Sequence, residues 1–95
     1  MSPSLHKAAN GYLTLDFNDA PETCWRGVAI RLGNEFGFVR EGQALCGVDE
    51  AIFPNFVSST CTIKAGYDNW SGNYLLSQSA EGDIVLQKLF SEVHA

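Results

Sequence analysis

The sequence has few histidines and no paired cysteine motif, and both absences restrict the chemistry that it can carry. Its two histidines, His6 and His94, lie near the two ends of the chain, so the interior offers no histidine as a general base. Its three cysteines are far apart and form no C-x-x-C spacing: Cys24, Cys46 and Cys61. This pattern predicts neither a disulfide framework nor a zinc site, and it fits reduced thiols in a cytoplasmic protein.

Basic residues are also scarce. Six Lys and Arg stand against eleven Asp and Glu, which gives a formal net charge of −5. Because phosphate groups attract basic surfaces, this balance argues against nucleic-acid binding and against docking on an anionic membrane. A basic protein is the natural partner for such a chain, although the same charge also serves simply to keep a small protein soluble.

The chain lacks long apolar segments and the short motifs of common enzymes. No run of about 18 apolar residues occurs, so we predict no transmembrane helix, and residues 1–10 show no secretory signal. Glycine-rich phosphate loops and the H-E-x-x-H, G-x-S-x-G and EF-hand spacings are absent. We therefore predict no catalytic residue, no cofactor and no metal site, and we expect that the protein is not an enzyme.

The clearest structural pattern lies in the last third of the chain. Residues 60–67 alternate between apolar and polar side chains, and residues 72–77 form a second strand after a short polar loop. An amphipathic helix follows, with four apolar residues at the i, i+3, i+4 and i+7 positions: Leu86, Leu89, Phe90 and Val93. A hairpin and an apolar helix stripe each need a partner, so we expect them to cover each other.

The middle of the chain supports two interpretations. Residues 21–32 fit a helix that ends at the Gly-Asn pair at 33–34, or a strand that turns at the same pair into a second strand. Gly27 would cost a helix about 1 kcal/mol relative to alanine, so we favour the hairpin. Residues 48–53 are short and precede a proline, and we expect a helical turn or an irregular connection there.

Together these patterns predict an α+β fold, an antiparallel sheet of four to five strands with a C-terminal amphipathic helix packed on one face. Residues 1–10 are expected to be a loose N-terminal arm, and residues 11–95 a single domain. Residues 72–77 place apolar side chains on both faces of their strand, which indicates a central strand or a contact with another subunit. On this ground we predict a homodimer.

Two tryptophans with polar neighbours give the candidate binding residues. Trp70 lies in the loop between the two C-terminal strands, near Asp68 and Tyr74, where it either anchors a partner or folds back over the sheet. Trp25 and Arg26 form a second aromatic and cationic pair. The arginines are expected to form surface ion pairs with nearby glutamates.

Charge and size suggest two hypotheses of different classes. The first is a small acidic cytoplasmic protein that occupies a basic protein partner, as an inhibitor or immunity-type protein does. Acidic side chains gathered on one face would favour it. The alternative is a homo-oligomeric protein that binds a small ligand in a pocket lined by aromatic side chains: Trp25, Phe36, Phe38 and Tyr74.

Overall fold

The computed structural model describes residues 3–18 and 20–94, which form two layers, an antiparallel sheet of seven strands and two helices packed on one of its faces. The strands are β1 (Ser4–Lys7), β2 (Leu13–Asp16), β3 (Val39–Glu41), β4 (Leu45–Cys46), β5 (Glu50–Val57), β6 (Thr62–Asp68) and β7 (Gly72–Ser77). The helices are α1 (Glu22–Asn34) and α2 (Ala80–His94). The predicted α+β fold is confirmed, with more strands than four or five.

The strand order is β1-β2-β7-β6-β5-β3, with β4 paired to the same edge of β5 as β3. β7 therefore lies between β2 and β6, and its prediction as a central strand is confirmed. β5 has a bulge between Phe53 and Phe56, which accommodates Pro54 because a bulge interrupts the ladder where proline has no N–H to donate. The irregular connection predicted at 48–53 is wrong, since residues 50–53 belong to β5.

The hairpin favoured for residues 21–32 is also wrong, because this segment is α1. Trp25, Val28 and Leu32 lie on one side of the helix and are buried in the core. Burial of a large apolar side chain contributes about 1.5–3 kcal/mol, so three of them outweigh the cost of roughly 1 kcal/mol for Gly27.

The core fills the space between the helices and one face of the sheet. Leu15, Leu75 and Ala65 lie side by side on β2, β7 and β6, and all three are buried. Leu86 and Leu89 of α2 are fully buried in the same cluster, and one further stripe residue, Phe90, packs against it. The side chain of Val93 lies outside the described part of the structure.

Arg31 connects the last turns of the two helices. Its guanidinium donates hydrogen bonds to Glu35, with an Nε–Oε2 distance of 2.7 Å, and to Glu92 of α2. These bonds raise the pKa of Arg31, and in turn they lower the pKa of Glu35. On α1, Nε of Arg26 lies 3.7 Å from Oε1 of Glu22. The predicted pairing with nearby glutamates is thus confirmed for Arg26 and Arg31, whereas Arg40 donates hydrogen bonds to the Pro54 carbonyl.

The N-terminal segment contains β1, which forms one edge of the sheet. Its residues pair with β2 in the register Leu5 opposite Leu15 and His6 opposite Thr14. Leu5 packs against the core cluster, so residues 4–7 are tied to the sheet by backbone pairing and by apolar contact.

Two helical glycines are expected to respond in opposite directions to alanine. In Gly27→Ala the new Cβ would meet nothing within 4 Å, so we expect the free energy of unfolding to rise by about 0.5–1 kcal/mol. In Gly82→Ala the Cβ would lie 2.5 Å from Oγ of the buried Ser77, so we expect a loss of about 1–3 kcal/mol. Urea denaturation measures both, and an equal gain from the two variants would contradict this packing.

Candidate functional site

The second face of the sheet, here termed the open face, has no helix over it in the described part of the chain. Strand register places Tyr74 directly opposite Gly66, with Asp16 and Ile52 in the same row. The adjacent row across β1, β2, β7 and β6 contains four side chains: His6, Thr14, Leu76 and Lys64. The open face therefore combines charged and apolar groups.

Tyr74 lies across Gly66. A Cβ at position 66 would come within 2.5 Å of the Tyr74 hydroxyl oxygen and 2.7 Å of the Ala51 carbonyl oxygen, so only glycine leaves room for the phenol ring. Burial raises the pKa of Tyr74, and the carboxylates of Asp68 and Glu50 raise this pKa further. The phenol therefore remains neutral beyond the pH at which an exposed tyrosine ionises.

Carboxylates gather at the end of the sheet where β6 turns into β7. Glu50 and Asp68 are directly opposite each other, an arrangement in which like charges repel. Glu22 reaches the same end, because its carboxylate accepts a hydrogen bond from Asn73 Nδ2 at 3.1 Å. Within residues 3–18 and 20–94, no basic side chain forms an ion pair with Glu50 or Asp68. These three carboxylates and the neighbouring Trp70 are termed the acidic end.

The turn that carries Trp70 is fixed by Asp68. Asp68 Oδ1 accepts hydrogen bonds from the backbone N–H groups of Trp70, at 2.9 Å, and Ser71, at 2.6 Å. Gly72 closes the turn with a φ of +65°, a conformation that favours glycine. Trp70 is 86% exposed, so the alternative in which it folds back over the sheet is wrong. The turn therefore presents the indole to solvent.

The five predicted binding residues separate into two groups. Asp68, Trp70 and Tyr74 lie together at one end of the open face. Trp25 is 8% exposed and packs in the core on the opposite side of the sheet. Arg26 is exposed on α1, where it approaches the glutamate one turn earlier. The structure therefore brings three of the five residues together.

A cavity of about 580 Å³ lies on the open face next to the acidic end. His6 lines it and approaches Asp16 with an Nδ1–Oδ2 distance of 3.4 Å. This pair was not predicted from the sequence, because residues 1–10 were expected to be a loose N-terminal arm. The available signal was Asn10-Gly11, a dipeptide typical of hairpin turns, which lies in the connection between β1 and β2.

No family model, curated protein or solved structure matches the chain. Within the residues that the structure describes, no three His, Cys, Asp or Glu side chains group closely enough to hold a metal ion. Neither helix of this described part has the length and apolar character needed to cross a membrane. The functional inference therefore depends on the geometry of the open face.

Neutralising the two opposed carboxylates is expected to lower the pKa of Tyr74. In a variant with Glu50→Gln and Asp68→Asn the pKa should move toward its ordinary value without reaching it, because burial of the ring remains. Asparagine keeps the Oδ1 acceptor that the turn requires. Tyrosinate absorbance gives the titration, with Tyr74→Phe identifying its component. Glu81→Gln on α2 is the control, and a double variant that titrates like the unmodified protein would refute the effect.

Proposed function

We propose that the protein binds a basic protein partner through the acidic end and acts by occupying that partner's surface, as an inhibitor or immunity-type protein does. One observation carries the proposal. Glu50 and Asp68 lie opposite each other and form no ion pair with a basic side chain of the described chain, and Trp70, two residues after Asp68, is exposed. Acidic groups collected at one end of the fold are what the charge-based hypothesis requires.

The electrostatic contribution to partner binding is relief of the repulsion between the Glu50 and Asp68 carboxylates. Two carboxylates directly opposite each other on neighbouring strands destabilise the free protein, by an amount comparable to the roughly 0.2–1 kcal/mol of other cross-strand pairs. A lysine or arginine from the partner would lie between both carboxylates and offset part of their repulsion. The net charge of −5 adds long-range attraction, which raises the association rate with a basic protein.

The apolar contribution comes from Trp70. A tryptophan buries about 150–250 Å² at an interface, which corresponds to roughly 4–6 kcal/mol before the costs of association are subtracted. Because Asp68 already fixes the backbone of the turn, little backbone entropy is lost when the indole docks. The indole therefore supplies affinity, and the carboxylates supply orientation and rate.

A cytoplasmic location belongs to the same proposal. Cys24, Cys46 and Cys61 are all free, and Cys46 is exposed. An exposed thiol without a disulfide partner suits a reducing compartment.

Affinity capture from the native host with matched variants tests the proposal. The unmodified protein is expected to retain a protein of basic isoelectric point at low salt and to release it at high salt. Trp70→Ala should weaken this binding roughly 30-fold, the effect of losing about 2 kcal/mol at a central aromatic. Ile84→Ala, which removes an exposed apolar side chain from α2, is the matched control and should bind as the unmodified protein does.

The carboxylates are tested in the same assay. The Glu50→Gln and Asp68→Asn double variant should bind more slowly and show a weaker salt dependence, because two of the acidic charges at the interface are removed. A captured protein that is acidic, or one that Trp70→Ala and the double variant both retain at full strength, would refute the proposal.

A further inference from the structure

The open face carries opposite charges at equal distances on either side of one glycine. The side chains at positions 64 and 68 of β6 lie on this face, because Ile63 and Ala65, with which they alternate, are buried in the core cluster. Lys64 and Asp68 are each two residues from Gly66, about 7 Å along the strand at roughly 3.4 Å per residue.

Neither of these two charges forms an ion pair within the described part of the chain. Lys64 is exposed, and Asp68 lies opposite another carboxylate, that of Glu50. The four residues from Lys64 to Asp68 span about 14 Å, which is more than the screening length of about 10 Å at 0.1 M salt. Lys64 therefore does little to relieve the repulsion between the carboxylates of its own chain.

An apolar row crosses the sheet between the two charges. Leu45 is directly opposite Ile52, and Ile52 is opposite Gly66. The Tyr74 ring covers this glycine from the next strand, and Tyr74 and Leu76 form the floor of the cavity. Leu45 is 61% exposed and Ile52 is 52% exposed. Adjacent exposed apolar side chains with charged residues around them are typical of protein interaction surfaces.

We propose that the open face binds a second copy of this chain, face to face, about a two-fold axis that is perpendicular to β6 over Gly66. This axis exchanges the positions of residues 64 and 68 between the two copies. Lys64 of each copy then faces the Glu50 and Asp68 carboxylates of the other, and the two apolar rows lie against each other. The charge pattern of the face is therefore complementary to itself.

The spacing of packed sheets allows these contacts. Two sheets that stack face to face lie about 10 Å apart, with their strands aligned to within about 30°. The flexible four-carbon stem of Lys64 carries its ammonium group across part of this gap. Asp16 lies in the same row as Gly66, but only 14% of its side chain is exposed, so little of this carboxylate is presented to the second copy.

The dimer does not rest on the proposed function. Both interactions use Glu50 and Asp68, so a second copy and a basic partner exclude each other at these carboxylates. The dimer covers the acidic end, and a basic partner has to displace one copy in order to bind. Partner binding and dimer formation are therefore expected to compete.

Sedimentation of the full chain between about 1 μM and 1 mM, at about 0.15 M salt, tests the dimer. We expect the mass to rise with concentration from 10.4 kDa toward twice that value. Ile52→Asp places a carboxylate in the apolar row against its own copy and should weaken the dimer at least about tenfold. Ile84→Asp is the matched control, because Ile84 is similarly exposed on α2, and it should leave the dimer unchanged.

A charge exchange tests the arrangement of the two copies. Lys64→Glu should weaken the dimer at least about tenfold, and adding Glu50→Lys should recover at least about tenfold, because residues 64 and 50 meet only between copies. Glu81→Lys changes the net charge equally on α2 and should not rescue Lys64→Glu. A monomer at every concentration, equal effects of the two isoleucine variants, or equal rescue by both lysines would overturn the proposal.

The dimer and the proposed function can fail separately. Lys64→Glu leaves the acidic end intact, so this variant should capture a basic partner at least as strongly as the unmodified protein does. A dimer without a captured partner contradicts only the proposed function, and a captured partner without a dimer contradicts only this inference.

Discussion

Both helices bury their apolar sides against the same face of one sheet, and this constraint determines the rest of the molecule. Trp25 of α1 and Leu86 of α2 belong to a single core cluster with Leu75 of the central strand. Because both helices of the described chain lie on this face, neither of them covers the other face. The open face, the cavity and the acidic end all exist because of this one-sided packing.

The C-terminal hairpin and helix could be predicted from the sequence because their signals are local. Alternation at 60–67, the polar turn and the helix stripe each occupy a few consecutive residues. α1 was missed because its stability comes from three side chains that pack on distant strands, which local propensity at Gly27 does not reveal. β5 was missed because Pro54 is expected to end a strand. Only the pairing with β6 shows that a bulge accommodates this proline within the strand.

The residues of the candidate site also differ in whether local sequence was sufficient to predict them. Asp68, Trp70 and Tyr74 surround one turn, so turn chemistry was sufficient to select them. Glu50 joins them only through strand pairing, and its position follows from the register of the sheet rather than from any nearby residue. Trp25 was selected wrongly. An aromatic residue next to an arginine in the sequence resembles a binding pair, but α1 places Trp25 on its buried side.

The strand order also determines when the molecule can be completed during synthesis. β2 pairs with β7, so the hairpin of β1 and β2 has no neighbouring strand until residues 72–77 have left the ribosome. Contacts that close over so long a stretch of chain form slowly. A nascent chain arrested before β7 would therefore lack the floor of the cavity, however well its first hairpin had formed.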